Sequence, residues 1–253
     1  SAACSWNCLP QQRCDIVIGL PHGSGPSRDV AWSVPYSGSR FGLVVGKRDT
    51  DIRSHDDLAG KRVGIVAGSV SLPSKGHTTV SFKSRQDVLS GFLDKRLDAA
   101  LIDDDFAAWY LHRHPTLPLR RVREYVPRQR WNMAFAVRAK DKALLGEING
   151  ALVQVLGTGQ VARAFARLGV SYRAPFGKPD RRKIAYDTWQ RIRERRELVV
   201  SMDPANLPYS GARADSCGFD VEIARAVAKK LGVKLRINWI DVQRETAIGE
   251  LLD

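Results

Sequence analysis

Polar residues follow several apolar runs of this sequence, at positions where a small ligand could bind. They are Asp203, Asn206 and Tyr209 after residues 198–202, His22 after 14–20, Gly68 and Ser69 after 61–66, and Asp103 after 98–102. The apolar runs are typical of buried strands, and open α/β sheets bind ligands at the carboxyl ends of their strands. The pattern therefore predicts a site for a small polar molecule, built from strand ends.

Two of these positions have alternative explanations. The stretch Gly68-Ser-Val-Ser71 either exposes backbone amides at a helix start, which suits a carboxylate or phosphate, or forms a plain turn. Asp103 begins a run of three carboxylates that either holds a ligand or caps the next helix, and capping is favoured for Asp104 and Asp105. The spaced ligands and the glycine of a calcium loop are missing from this run, so no metal is expected.

Catalytic motifs are missing from the sequence. It has no nucleophile elbow, no Walker loop and no supported Ser/His/Asp set. His112 and His114 are two positions apart, so they do not share a helix face and indicate a polar helix end. The sequence therefore contains no motif that supports an enzyme of these classes, and no cofactor is expected.

Length and composition exclude several classes of protein. The chain has 253 residues, 43% of them hydrophobic, which is enough for one large domain or two lobes. It has no run of the ~18–20 apolar residues that a membrane span needs. The net charge of +13 attracts anionic partners, but zinc-finger spacing and aromatic RNA-binding signatures are absent, so nucleic acid is not the expected partner.

The cysteines are Cys4, Cys8, Cys14 and Cys217. Their even number fits two disulfides in an oxidising compartment, with three possible pairings. No C-x-x-C pair is present, which disfavours zinc and thioredoxin-like chemistry. The first residue is Ser1 rather than methionine, which is compatible with an exported, processed chain.

Predicted strands alternate with predicted helices along the chain. Besides the four runs above, strands are expected at 41–45, 131–138 and 234–240, and helices at 106–113, 143–156, 160–168 and 219–231. This alternation predicts an α/β protein with largely parallel sheets.

Several motifs resemble type II periplasmic solute-binding proteins. Leu198-Val-Val-Ser-Met-Asp-Pro-Ala-Asn-Leu-Pro-Tyr-Ser210 and Gly218-Phe-Asp-Val-Glu-Ile-Ala224 resemble the opening of those proteins. Lys61-Arg-Val-Gly-Ile-Val-Ala-Gly-Ser69 resembles the start of their second lobe, and Leu97-Asp-Ala-Ala-Leu-Ile-Asp103 its ligand-facing strand end. The resemblance implies a periplasmic, two-lobed α/β fold with a hinge and an interlobe cleft.

Three motifs are most similar to the MxaJ/XoxJ branch of that superfamily. They are Asp203-Pro-Ala-Asn-Leu-Pro-Tyr-Ser210, Arg13-Cys-Asp-Ile-Val-Ile-Gly-Leu-Pro21 and Pro35-Tyr-Ser-Gly-Ser-Arg40. The branch accompanies PQQ-dependent methanol dehydrogenases. The resemblance therefore implies a non-enzymatic partner of a quinoprotein alcohol dehydrogenase, acting in its maturation or activation.

Other functions fit the same superfamily. The main alternative is an ABC-transporter receptor for a small anionic or zwitterionic metabolite. An enzyme using Asp103 or His22 as acid or base, and the effector domain of a transcription regulator, are less favoured.

The resemblance also assigns roles to two residues. Asp103 occupies the position where amino-acid binders contact an ammonium group. Arg28, in Gly25-Pro-Ser-Arg28, corresponds to their Thr-x-x-Arg clamp for a carboxylate, although the threonine is missing here. Apart from the resemblance, Arg40 after Pro35-Tyr36 is a second candidate anion contact, and a solvated surface arginine is the favoured alternative.

The order of the motifs differs from the order in that superfamily, whose members begin with the segment found here at 198–253. This predicts a circular permutation, or a cut across tandem copies, with Ser1 and Asp253 close together. Lobe one would combine 1–45, 134–172 and 198–253, and lobe two would be 46–133. Residues 173–197 would form a basic linker or a surface helix.

Overall fold

The computed structural model describes residues 9, 14–24, 29–69, 76–177, 188–213 and 217–240. The chain divides into two compact units. Unit 1 combines Ser1–Gly38 with Trp131–Asp253, and unit 2 is Ser39–Arg130. Unit 1 is thus built from an early and a late part of the chain.

The strands, in chain order, are β1 (Ile16–Pro21), β2 (Val30–Trp32), β3 (Ser37–Gly46), β4 (Arg62–Val66), β5 (Thr78–Phe82), β6 (Ala99–Asp103), β7 (Leu119–Arg121), β8 (Arg130–Arg138), β9 (Glu197–Met202), β10 (Ala205–Asn206), β11 (Ser210–Gly211) and β12 (Lys234–Trp239). The helices are α1 (Arg85–Leu93), α2 (Asp104–Arg113), α3 (Lys142–Gly157), α4 (Gln160–Arg167), α5 (Thr188–Arg195) and α6 (Phe219–Leu231). The strands and helices predicted above are present, and β2, β5, β7 and the β10–β11 pair are additional.

The unit 1 sheet has the order β12-β9-β1-β8, and β2 pairs with β8. Strands β12 and β1 both run parallel to β9, with Trp239 opposite Met202 and Ile16 opposite Val200. The late and early parts of the chain therefore supply neighbouring strands of one sheet. Strand β8 is antiparallel to β1.

Helix α6 packs on the rest of unit 1 through one face. Phe219, Ile223 and Val227 recur every four residues and are all buried, as an amphipathic helix requires. Phe219 stacks on Phe165 of α4, with the ring centroids 3.9 Å apart. This contact holds α4 and α6 side by side.

The unit 2 sheet has the order β3-β6-β4-β5, and β7 pairs with β3. Strand β4 is parallel to β5 and β6, and β3 is antiparallel to β6. Leu43 and Val45 of β3 enter one hydrophobic cluster, whereas Val44 between them enters another. Both faces of the sheet are therefore buried, which explains why its strands read as continuous apolar runs.

A buried ion cluster connects several parts of unit 1. Arg138, 5% exposed, donates to the carbonyl of Cys14 at 2.7 Å and pairs with Asp15 and Asp141. Asp15 pairs as well with Arg195 of α5. Because buried charges need partners of opposite sign, the cluster fixes α5 and the end of β8 against the segment that enters β1.

The expectation of two disulfides is wrong for Cys217, whose thiol is free. Cys217 lies directly before α6, with its Sγ 3.5 Å from Nη1 of Arg225. Cys14 is disulfide-bonded, and its partner lies outside the described residues, as do Cys4 and Cys8.

Candidate functional site

In unit 1, the carboxyl ends of β9, β1 and β12 lie at one edge of the sheet because the three strands are parallel and in register. Asp203 follows β9 and His22 follows β1. The sheet thus brings these two predicted site residues to the same edge. The sequence missed Trp32 of β2, whose ring centroid lies 5.5 Å from that of the exposed His22.

Asp203 begins a tight loop that includes the β10–β11 pair. Its Oδ1 accepts a hydrogen bond from the backbone N–H of Ala205 at 2.7 Å, and the hydroxyl of Ser210 donates to its carbonyl at 2.7 Å. Asn206 lies opposite Ser210 in this pair. The loop therefore presents a half-buried carboxylate in a fixed orientation after the strand.

Tyr209 is placed differently from the ligand contact that the sequence predicts. Its side chain is 3% exposed and packs edge-on against Phe219, with the ring centroids 4.9 Å apart. Its carbonyl accepts the N–H of Asp220 at 2.9 Å. Tyr209 is thus a residue of the hydrophobic core, and its ring packs the loop against α6.

In unit 2, the ends of β4 and β6 likewise share one edge of the sheet, since these strands are parallel. Gly68 and Ser69 follow β4, and Asp103 ends β6. Phe41 of the antiparallel β3 lies opposite Asp103, which places Arg40 at this edge as well. Four predicted site residues therefore lie toward the same edge of this sheet.

The turn at Gly68 and Ser69 differs from an open anion site. The backbone N–H of Ser69 donates to the carbonyl of Val66 at 3.1 Å, and its hydroxyl donates to the same carbonyl at 2.7 Å. The Ser69 amide is therefore occupied within the turn. Both residues are exposed, so the Ser69 hydroxyl oxygen can accept a hydrogen bond from a ligand.

Asp103 is the N-cap of α2, and its Oδ1 accepts the N–H of Phe106 at 2.9 Å. A carboxylate has two oxygens and accepts several hydrogen bonds. Capping therefore fixes the orientation of Asp103 at the strand end and is compatible with a ligand contact.

Asp104 and Asp105 lie in the first turn of α2, where carboxylates suit the helix dipole, but the N-cap is Asp103. Both carboxylates are buried, at 2% and 1% exposure. Asp104 pairs with Arg40 at 3.1 Å and with Arg121 at 2.7 Å, and Asp105 accepts the hydroxyl of Ser39 at 3.0 Å. A single carboxylate thus anchors two guanidinium groups, and Arg40 is an ion-paired, half-buried residue rather than a freely solvated one.

Gly42 makes room for this ion pair. A Cβ at this position would lie 2.6 Å from Oδ1 of Asp104, closer than any side chain tolerates. The glycine in β3 is therefore needed for Asp104 to reach its two arginines.

Positive charge also surrounds Tyr125 of unit 2. Burial raises the pKa of its phenol, and the charges of Arg128 and Arg40 act in the opposite direction. Arg40 therefore contributes to an electropositive part of unit 2 in addition to its bond with Asp104.

Arg28 lies outside the described residues, so the expected carboxylate clamp has no structural description.

The sequence analysis missed Arg121 and Trp32, because they come from the short strands β7 and β2, which have no clear pattern in the sequence. The run of three aspartates was the one signal that pointed to the Asp104 ion pair.

Among the described residues, no three His, Cys, Asp or Glu side chains form a group that could hold a metal ion. In the same part of the chain, no helix has the length and apolar character needed to cross a bilayer.

The chain is similar to known proteins in sequence and in fold. No family model matches the sequence. The chain is 26% identical over 150 residues to ABC transporter arginine-binding protein 1 of Escherichia coli, covering 57% of this chain and 61% of that protein. It is 28% identical over 163 residues to the arginine-binding extracellular protein ArtP of Bacillus subtilis, covering 61% and 63%. The chain thus spans about six-tenths of the length of each relative.

The structure is similar to that of the amino acid ABC transporter substrate-binding protein AbpA of Streptococcus pneumoniae bound to L-arginine. The TM-score is 0.54 at 19% identity, covering 64% of this chain and 71% of that one. The two sequence relatives and the Streptococcus pneumoniae protein are all named as binding proteins. The predicted α/β architecture is thereby confirmed, and the chain has the two-lobed fold of type II periplasmic solute-binding proteins.

Proposed function

We propose that this chain is the solute-binding component of an ABC transporter for a small zwitterionic metabolite of the amino-acid class. The observation that carries the proposal is the edge of the unit 2 sheet that Asp103, Arg40 and the turn at Ser69 share. The arginine-binding relatives support this function over the dehydrogenase-associated one.

The charges at this edge match a zwitterion. Asp103 is an anion in a fixed orientation and suits an ammonium group. Arg40 is half-buried and shares Asp104 with Arg121, so its charge is only partly compensated and suits a carboxylate.

The ligand need not be the amino acid that the relatives bind. Arginine carries a second cationic group, and a binding site for it requires a further carboxylate or aromatic surface. At the unit 2 edge, Asp104 is already bound to two arginines. We therefore favour a neutral or acidic side chain over a basic one.

A binding screen tests the proposal. The protein is unfolded, dialysed to remove bound solutes and refolded, and its melting temperature is measured with each of the twenty amino acids and with small dicarboxylates. A true ligand raises the melting temperature, because it binds the folded state alone. Calorimetry with Asp103→Asn should then show affinity at least ten times lower, and the exposed Asp94→Asn should bind as the native protein does.

Failure of every compound in this screen would contradict the receptor function. Equal affinity of Asp103→Asn and native protein would contradict the role assigned to Asp103 while leaving receptor function intact.

The MxaJ/XoxJ-like motifs favour a second candidate, a partner of a quinoprotein alcohol dehydrogenase. A basic protein would be attracted to an acidic enzyme, and this attraction weakens with salt. Co-purification with such a dehydrogenase at low salt, lost at high salt, supports this candidate. Ligand binding without that association supports the transporter receptor.

We propose, further, that the chain is a circular permutant located in the periplasm. The adjacent strands β9 and β1 and the order β9, α6, β12 support the permuted connection. The disulfide at Cys14 supports an oxidising compartment.

A further inference from the structure

A groove of about 610 Å³ lies between α4 and α6 of unit 1. Its floor is made of small or buried apolar side chains, among them Val161, Ala164 and Ile223. It is adjacent to a second hollow of about 640 Å³, with which it shares Gln160 and Ala226. We call the two adjacent hollows together the α4–α6 groove.

The two helices run antiparallel along the groove. Arg167 at the end of α4 bonds to Glu222 near the start of α6 at 2.5 Å, whereas Gln160 at the start of α4 shares the second hollow with Lys229 and Lys230. Helix α6 has 13 residues, so the groove is about 20 Å long at 1.5 Å per residue. An extended segment of about six residues has this length.

The rim of the groove is strongly basic. Its cationic side chains are Arg163, Arg167, Arg225, Lys229 and Lys230, and its one acidic side chain is Glu222. Glu222 pairs with Arg167. No carboxylate of the described residues lies within ion-pair distance of the other four cations, and Nη1 of Arg225 lies 3.5 Å from the Cys217 sulfur.

The rim charges are not explained by the core. Arg163, Arg225, Lys229 and Lys230 are exposed, and Arg225 and Lys229 are like charges four residues apart on α6, a spacing at which they repel. Lys229 and Lys230 lie in the last turn of α6, where the helix dipole favours cations. The concentration of positive charge along one groove indicates an external anionic partner.

We propose that the α4–α6 groove docks an extended acidic segment of a partner protein. Guanidinium forks pair with carboxylates in two parallel hydrogen bonds, and the concave floor accepts the backbone of one strand. A bilayer surface is flat, so it would contact the rim of the groove and leave the floor uncontacted. Single-stranded nucleic acid prefers aromatic platforms, and the groove lining holds no aromatic residue among those described. The site shares no residue with the proposed solute site, so neither depends on the other.

Fluorescence anisotropy with a labelled peptide tests the proposal. The probe is a twelve-residue peptide with six consecutive glutamates, titrated with the full chain at low and moderate salt. The double variant Arg163→Glu/Arg225→Glu should bind at least ten times more weakly than the native protein. The control Arg48→Glu/Arg123→Glu changes two exposed arginines of unit 2 by the same charge and should change the affinity less than twofold.

Three outcomes would overturn the proposal. The first is that the native protein has no detectable affinity for the peptide. The second is an equal loss of affinity in both double variants, which would show that binding depends on the overall charge of +13. The third is groove-dependent binding to phosphatidylglycerol vesicles that is tighter than binding to the peptide. If Arg163→Glu/Arg225→Glu fails to fold by circular dichroism, Arg163→Gln/Arg225→Gln replaces it, with an expected loss of at least threefold.

Discussion

Arg121 and Asp104 form an ion pair at 2.7 Å in which the carboxylate is almost fully buried while the guanidinium stays partly exposed. Arg40 bonds to the second oxygen of the same carboxylate. Strand β7, strand β3 and the first turn of α2 therefore meet at one charged group.

Removal of this charge should destabilise the protein. The Asp104→Asn variant leaves two arginines facing each other without an anion between them, and we expect a loss of ~1–3 kcal/mol in the free energy of unfolding. Urea titration followed by tryptophan fluorescence measures it. The exposed Asp94→Asn should change the free energy of unfolding by less than ~0.5 kcal/mol. A similar loss in both variants would show that the buried ion pair of Asp104 does not stabilise the fold.

Gly42 gives a second test of the same contact. In Gly42→Ala, the new methyl group would meet Asp104 at 2.6 Å, so we expect a loss of ~1–3 kcal/mol. The control is Gly146→Ala in α3, where a Cβ meets no atom within 4 Å. Because alanine is the better helix former, this control should gain ~0.5–1 kcal/mol. Opposite signs in thermal unfolding are the expected result.

Arg40 can be tested through ligand binding. For an amino acid identified in the screen, Arg40→Gln should lower the affinity roughly tenfold through loss of a charge-assisted hydrogen bond. Calorimetry should show a smaller effect for the corresponding amine without its carboxylate. Arg48→Gln is exposed in the same unit and should bind normally. An equal effect on both compounds would place Arg40 away from the ligand carboxylate.

Asp98 should make stability depend on pH. Its hydrogen bonds with Arg62, at 2.8 Å and 3.1 Å, lower the pKa of the carboxyl below its usual value. The pair therefore stabilises the fold above about pH 4 and loses this contribution as the pH falls through the lowered pKa. The contribution is below ~1 kcal/mol because both side chains are partly exposed. Asp98→Asn should reduce the difference in urea midpoint between pH 7 and pH 3.

The two described cysteines should respond differently to mutation. Cys14 is buried and disulfide-bonded, so Cys14→Ser should cost ~2–5 kcal/mol under non-reducing conditions. Cys217 has a free thiol, and Cys217→Ser should change stability by less than ~0.5 kcal/mol. A strong loss in the Cys217 variant would indicate that its thiol is bonded in solution.

The sequence predicts the long elements of this fold well, for a physical reason. Helix α6 was expected at its observed bounds, because Phe219, Ile223 and Val227 mark its buried face and Gly232 adopts a left-handed conformation at its end. Strands β4 and β6 were evident because both faces are buried. Strands β2 and β7 have three residues each, too few to show a period.

The ligand contacts of the candidate site stay predictions. The strand-end rule placed Asp103, Asp203 and His22 at strand ends, where the structure has them. The rule gave no sign that the Tyr209 ring is buried, because a tyrosine in a turn can face either solvent or core. It also missed the Asp104–Arg121 pair, which depends on tertiary contact between distant segments.

The position of β1 between β9 and β8 has a consequence for biosynthesis. The bond between Asp15 and the backbone of Val199 spans 184 residues, so during translation β1 remains without this parallel neighbour until those residues have been synthesised. Such long-range pairing folds slowly, and an unpaired apolar strand is prone to wrong association in the meantime. Nascent chains of this protein should therefore depend on chaperones more than those in which neighbouring strands are made in succession.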